Sequence, residues 1–416
     1  MSTRIGLWTP RLARKSQALS LLNAVHDFKN KSSTSQPLQS TPKMSDLPPS
    51  PVSNSSEPTR IHILGLGNLG RLYAHALANL PCPPPITLLL HRSSLLQEWE
   101  DAGHQISITT NGILNSNGHF SVEDISAGAQ AASSSSAKKP MISNLIVATK
   151  TLNVVSALEL VKGRLNEEST LLFTQNGMGS LEEVDQHVFG ATNIPSNKRP
   201  TYLTSVTSHG VYHLSPFSSV HAGLASVAIG QARQSPPPDH PENAQYLIDQ
   251  IVQSPILNAV ECPSKELLYL QLEKLVVNAI INPLTALLHC KNGDLFINNG
   301  PVLNLMRLLL QEASQVIQHL PEIRSSEYPV LEKRFSTRAL EAKVLDVAAK
   351  TAQNTSSMLQ DVRARRETEI EYINGWIVRK GRELGVCVER NEKVVGMMRE
   401  GRRFEVDEVG DAFEGL

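Results

Sequence analysis

The stretch Ile61-His62-Ile63-Leu64-Gly65-Leu66-Gly67-Asn68-Leu69-Gly70-Arg71-Leu72-Tyr73-Ala74-His75-Ala76-Leu77-Ala78 decides the fold. Four mostly apolar residues, the pattern of a short buried strand, run straight into Gly-x-Gly-x-x-Gly and from there into a helical pattern. Gly65 permits the tight turn, Gly67 lets backbone approach a pyrophosphate, and Gly70 lets helix and strand pack closely; the phosphates then face the positive helix N-terminus. Gly65, Leu66, Gly67, Asn68, Leu69 and Gly70 are therefore the candidate dinucleotide loop. The same glycines without a strand before and a helix after would be a weak signal. No Gly-Lys-Ser/Thr follows, so a P-loop NTPase is not indicated.

Beyond the Pro81–Pro85 connector, Ile86–Leu90 reads as a second strand, ending in His91-Arg92-Ser93-Ser94. A site for NAD usually carries Asp or Glu at this point to hold a ribose hydroxyl, whereas an arginine suits the 2′-phosphate of NADP. With no acid and one arginine, NADP is favoured and Arg92 is its candidate contact; a solvated arginine is the alternative. Asn144–Lys150 is a third apolar strand, Val154–Leu165 a helix, and Thr170–Asn176 a further strand. Strands and helices alternating at this length imply a parallel sheet covered on both faces. From Lys265 the periodicity becomes that of long helices: Glu266–Leu288, Val302–His319, Thr337–Ala349 and Met358–Leu384. The expected fold is α/β, an N-terminal Rossmann-type dinucleotide-binding domain over 59–264 followed by an all-α C-terminal domain over 265–416.

The composition is that of a two-domain protein with low-complexity additions. A chain of 416 residues exceeds any single small module. Its 39 Lys+Arg balance 40 Asp+Glu, so no global field favours nucleic acid or an anionic membrane. No uncharged apolar run reaches about 18 residues, which excludes a transmembrane helix. Four cysteines, Cys82, Cys262, Cys290 and Cys387, form no CxxC pair, so neither a metal module nor a disulfide framework is expected, and a reducing compartment fits. Prolines and serines cluster outside the periodic segments: over residues 1–58, in a Ser-rich insert at about 127–139, and in a Pro-rich connector at 233–243. The first 26 residues hold Arg4, Arg11, Arg14 and Lys15 and no acid, the look of a mitochondrial transit peptide. A solvated tail with Met44 as the start is the alternative, and the protein would then be cytoplasmic.

Within the first long helix, Lys274, Asn278 and Asn282 recur at every fourth residue and form one polar stripe on an otherwise apolar surface. Buried Lys and Asn cost free energy unless paired, so the stripe points to a binding cleft. Pro283 removes a backbone hydrogen bond beside it and predicts a kink. Asn354-Thr355-Ser356-Ser357 precedes another helix, where it can cap that helix or present donors to a carboxylate. Glu369 lies twelve residues beyond Ser357, roughly 18 Å along a continuous helix, and so belongs with the cofactor end or with the surface.

Taken together, GLGNLG at 65–70, LIVATK at 145–150, TQNGMG at 174–179, SHG at His209, HAG at 221–223, KLVVNAIINPLTALL at 274–288, KNGDL at 291–295 and NTSSMLQDVRARRETEIEYINGWIVRKG at 354–381 resemble the ketopantoate reductase family (2-dehydropantoate 2-reductase) over about Arg60 to Val395. The resemblance implies NADPH-dependent reduction of 2-dehydropantoate to (R)-pantoate, a step towards pantothenate and coenzyme A. It implies Lys274 as catalytic proton donor, Asn278, Asn282 and Asn292 as substrate-binding asparagines, and Asn354 with Ser357 on the substrate carboxylate. It also implies Lys150, Asn176 and Glu369 at the cofactor, no metal, and a homodimer formed through the helical domain. Reduction of another branched 2-keto acid is the nearest alternative, and a non-catalytic NADPH sensor a more distant one.

Overall fold

The computed structural model describes residues 59–126, 139–190, 198–232, 241–297 and 300–413. The segment 1–58, with the transit-peptide reading, lies outside them, as do the Ser-rich residues 127–138 and residues 233–240 of the Pro-rich connector. Twelve strands are described: β1 (Ile61–Leu64), β2 (Ile86–Leu90), β3 (Ile106–Thr110), β4 (Ile113–Asn117), β5 (Ser121–Asp124), β6 (Asn144–Val147), β7 (Thr170–Phe173), β8 (Thr201–Thr207), β9 (Gly210–Ser215), β10 (Ser218–Gly223), β11 (Val227–Gln231) and β12 (Ala259–Glu261). The helices with them are α1 (Asn68–Ala78), α2 (Ser94–Asp101), α3 (Val154–Glu159), α4 (Ser180–Glu183) and α5 (Pro241–Val252). A helical region follows, made of α6 (Ser264–Leu287), α7 (Gly300–His319), α8 (Pro321–Arg324), α9 (Tyr328–Phe335), α10 (Thr337–Lys350), α11 (Ser357–Arg363), α12 (Asn374–Leu384), α13 (Glu389–Arg399) and α14 (Glu408–Ala412).

The main sheet has the order β12-β11-β8-β7-β6-β1-β2-β5. It is parallel from β5 through β8, and β11 turns antiparallel against β8. Its two faces follow from period two in the strands. Ile61, Ile63, Leu88, Leu90, Ile146 and Leu172 pack with Leu72, Tyr73 and Leu77 of α1, while Leu64, Leu89, Leu145, Val147, Leu171 and Phe173 pack with Val154, Leu158, Val184 and Val188. Each buried Leu or Ile contributes roughly 1.5–3 kcal/mol. The chain goes from β1 outward to β2 and β5, then returns to β6, β7 and β8 on the other side of β1. The carboxyl ends of β1 and β6 therefore flank the point where strand order reverses, which is where open α/β sheets hold ligands.

A second sheet, β4-β3-β10-β9, covers the outer side of α1 and was not anticipated, because its strands are rich in Ser, Thr, His and Asn and show little apolar alternation. Buried Arg71 ties α1 to it, donating to the carbonyls of Ser215 and Ser218 at 3.1 Å each and lying 5.5 Å above the Phe217 ring.

In the helical region, α6 is buried on nearly every side among α7, α10, α11 and α13. Its buried Glu273 is neutralised by Arg334 at 2.6 Å and by Lys343. Burial pushes the Glu273 pKa upward, but these two cations hold it below the ordinary carboxylate range. Arg334 also reaches Glu266 at 2.7 Å and covers the Tyr269 ring.

Several element boundaries differ from the sequence reading. The strands expected over 144–150 and 170–176 stop at Val147 and Phe173, because the residues beyond turn out of the sheet into the crevice. The helix expected over 154–165 ends at Glu159 and gives way to a 3-10 turn over Lys162–Arg164, where Arg164 is drawn to Glu123 at 2.8 Å. The helix expected over 358–384 is two helices, α11 and α12, separated by a left-handed Arg365 (φ 51°) and a 3-10 turn over Ile370–Tyr372. The run Ala364-Arg365-Arg366-Glu367-Thr368-Glu369 offers no apolar face to bury. The backbone N–H and Nε of Arg366 instead fold back to Asp361, at 2.9 and 3.0 Å, and close α11.

Candidate active site

The glycine loop has the shape its sequence implies. Gly65 adopts φ +98°, and a Cβ there would lie 2.4 Å from the Thr149 nitrogen. At Gly70 a Cβ would lie 1.9 Å from the Gly65 carbonyl oxygen, whereas at Gly67 it would meet nothing within 4 Å. The loop is therefore packed from below at Gly65 and Gly70 and open at Gly67, at the N-terminus of α1, where no side chain caps the first amides and no acid occupies the first turn. These features fit a dinucleotide pyrophosphate. The Asn68 side chain ties the loop to the second sheet: its Nδ2 donates to the Val211 carbonyl at 3.3 Å, and its Oδ1 accepts from Ser219. Arg92 lies just past β2, its side chain 58% exposed and in a loose ion pair with Glu98 at 4.0 Å, within reach of an anion from solvent.

Past β6, Thr151 reaches across to Glu369. Its backbone N–H donates to the carboxylate at 3.1 Å and its hydroxyl at 2.8 Å, while Asn176 adds a third donor at 3.4 Å. Glu369 thus stands at the carboxyl edge of β6 and β7, and the break between α11 and α12 carries it there, so the 18 Å separation from Ser357 along one helix does not apply. The neighbouring loop docks closely. Met178 N–H donates to the Tyr372 carbonyl at 2.8 Å, and Gly177, at φ +81°, leaves only 2.4 Å between a built Cβ and that same oxygen.

Lys274 projects from α6 towards the same edge. Its ammonium donates to the Thr207 carbonyl at 2.6 Å, at the end of β8. Burial pulls its pKa down to about 8, and the nearby charge of Glu369 acts in the opposite direction. The Thr207 hydroxyl pairs with the buried Tyr73 hydroxyl at 3.2 Å, so α1 and Lys274 share one support. One and two turns along α6 from Lys274 are Asn278, half-buried, and Asn282, buried. Neither side-chain amide has a hydrogen-bond partner among the described residues. Both amides are therefore left to pair with water or with a ligand.

The remaining sequence candidates are arranged differently. Lys150 forms an ion pair with Asp361 at 2.6 Å and donates to the Glu367 carbonyl, so it bridges the sheet to α11. Asn292 is bonded to the Thr351–Asn354 turn, its Nδ2 donating to Thr351 at 2.9 Å and its N–H to the Asn354 carbonyl at 3.1 Å. It shapes the turn that carries Asn354. Asn354 and Ser357 are exposed. Ser356 is the capping residue of α11: its Oγ accepts from Leu359 N–H at 3.1 Å and from the Thr285 hydroxyl at 2.6 Å. Sequence reasoning missed Thr151, Thr207, Tyr73 and Asp361, whose surroundings come from other parts of the chain and leave no periodic or spacing signal.

Sequence comparison places this geometry among known proteins. The family model described as "Ketopantoate reductase PanE/ApbA" matches residues 61–234, and its "C terminal" counterpart matches 266–402. The "Ketoisovalerate reductase BEA2" of Gibberella fujikuroi is 34% identical over 386 residues, 85% of each chain. The "Probable 2-dehydropantoate 2-reductase" of Schizosaccharomyces pombe is 32% identical, over 77% of this chain and 89% of that one. Among solved structures, D-mandelate dehydrogenase with NADH and anilino(oxo)acetate superposes with TM-score 0.63 at 18% identity, covering 84% of this chain and 99% of that one. The probable 2-dehydropantoate 2-reductase of Bacillus subtilis superposes with TM-score 0.59 at 24% identity, over 82% and 100%. Both show the same fold.

Proposed function

The chain belongs to the ketopantoate reductase family, and from that premise we propose that it reduces 2-dehydropantoate to pantoate with NADPH. The observation that carries this reading is the joint arrangement on α6: Lys274 with a lowered pKa near Glu369, followed by the two unpartnered amides of Asn278 and Asn282. A nicotinamide dinucleotide held on the glycine loop supplies hydride when bound, with Arg92 meeting the 2′-phosphate of the NADP form. Reduction of a 2-keto acid builds negative charge on the ketone oxygen, so the site needs a donor aimed at that oxygen and a grip on the carboxylate. Lys274 delivers the proton, and Thr207 holds its ammonium in place beforehand. Asn354 and Ser357 hold the carboxylate, while Asn292 and Thr351 set the turn that presents Asn354.

The hydroxyl of 2-dehydropantoate favours it over simpler keto acids. A site with polar groups arranged for a substrate hydroxyl discriminates against an analogue that leaves them unpaired. The second reading, reduction of 2-ketoisovalerate, is favoured by the 34% identity to the Gibberella enzyme of that name. Following NADPH absorbance with each acid separates them. A kcat/KM at least about tenfold higher for 2-dehydropantoate is expected; a preference for 2-ketoisovalerate selects the second reading, and turnover of neither removes both. The division at about residue 264, pairing of two copies through the helical domain and a mitochondrial address are further parts of the proposal, read by limited proteolysis, light scattering and cell fractionation.

A further inference from the structure

Pro283 has no N–H, so the Ala279 carbonyl four residues earlier lacks its regular helical donor, and the proline ring crowds it outward. Ala279 lies directly after Asn278 and one turn before Asn282. Its carbonyl is met from outside the helix by Asn374, whose Nδ2 donates at 2.9 Å from a fully buried side chain at the start of α12.

The direction of that amide is dictated two residues away. Buried Glu312 of α7 accepts from the N–H and the Nδ2 of Asn391, at 2.9 and 2.7 Å, and from Arg390 N–H at 3.0 Å. With Nδ2 turned to the carboxylate, Asn391 presents its Oδ1 to Asn374, which donates at 3.1 Å. Both amide hydrogens of Asn374 are thereby committed, one to Asn391 and one to Ala279, while its own Oδ1 is buried without a partner. Flipping the amide would set oxygen against two oxygens. An unpaired buried acceptor is tolerated here for the sake of two donated bonds.

We propose that Asn374 is a positioning residue of the reduction: anchored on Glu312 through Asn391, it fixes the proline-bearing turn of α6 and so aims Asn278 and Asn282 at the keto acid. This rests on the functional reading above. The test compares the full chain with Asn374→Ala, Pro283→Ala and both. Pro283→Ala returns an N–H opposite the Ala279 carbonyl, which then pairs within the helix and no longer needs Asn374. Asn374→Ala is expected to raise KM for 2-dehydropantoate about tenfold with KM for NADPH within about twofold, and the rise shrinks to about threefold or less when Pro283 is also replaced. An equal rise in both KM values, or the same rise in both backgrounds, overturns the proposal. Thermal unfolding of the same four proteins needs no substrate. A smaller fall in Tm on the Pro283→Ala background supports the tie, and equal falls overturn it. A wild-type chain that reduces no 2-keto acid defeats the functional reading alone, leaving the tie to the melting comparison. If Asn374→Ala does not fold, Asn374→Ser, which keeps one donor, enters the same comparison under the same criteria.

Discussion

Lys274 combines a position that burial makes costly for a charge with a proposed role that needs the charge present. Its pKa falls to about 8, so the ammonium is the main form below that pH and is lost above it. In the proposed mechanism the protonated form is the donor, so kcat/KM for the reduction is expected to fall as pH rises through about 8. A profile that stays flat there would exclude Lys274 as the donor. Lys274→Ala should lower turnover by about two or more orders of magnitude while leaving NADPH binding nearly unchanged, measured by fluorescence titration and steady-state rates. Glu369 raises the Lys274 pKa, so Glu369→Gln should move the alkaline limb to lower pH. A shift to higher pH would contradict the charge relation between them. Arg92→Ala should weaken NADPH much more than NADH, and equal weakening would remove the phosphate contact. At this scale the sequence spoke clearly where a residue type was costly for its place: Lys274, Asn278 and Asn282 on an apolar helix could be picked out without coordinates. Thr207 and Thr151 could not, since a Thr beside a strand end is ordinary until its distant partner is known.

The strand-loop-helix from Ile61 to Ala78 shows what a local element can state by itself. Its glycines differ in what a methyl group would strike, and the difference predicts opposite failures. Gly67→Ala adds a Cβ into open space, so melting should change little while dinucleotide affinity falls about tenfold or more, as read by calorimetry. Gly70→Ala places a Cβ 1.9 Å from the Gly65 oxygen and should destabilise the fold by several degrees in Tm before binding is considered. If both variants bind equally well, the open face over Gly67 is not the pyrophosphate site. By contrast, the segment from Arg363 to Ile373 misled the sequence reading. Its charged residues have good helical propensity, and the chain turns there because Arg366 folds back on Asp361 while Glu369 and Tyr372 are held by the distant Thr151 and Met178. Propensity is worth tenths of a kcal/mol per residue, and a few such bonds outweigh it.

At the scale of the molecule, the sheet and the helical region meet along one line: Lys150 with Asp361, Thr151 with Glu369, Gly177 and Met178 with Tyr372, and Thr207 with Lys274. Gly177→Ala tests that line away from the reacting groups. Its Cβ would strike the Tyr372 carbonyl, so denaturant unfolding should show a loss of about 2 kcal/mol or more together with reduced turnover. A variant with wild-type stability would show that the junction tolerates separation. The sequence by itself determined three features and their chemistry: a glycine loop between strand and helix, an apolar helix with a polar stripe, and the motifs that mark the family. Those follow from short-range periodicity and turn geometry, which act within about a dozen residues. Only the tertiary structure decided that Glu369 joins Thr151, that Lys150 pairs with Asp361, and that Asn374 completes the helix Pro283 leaves open. Each joins parts of the chain far apart in sequence, and such a pairing is set by how packed surfaces meet, a quantity no local pattern of residues encodes.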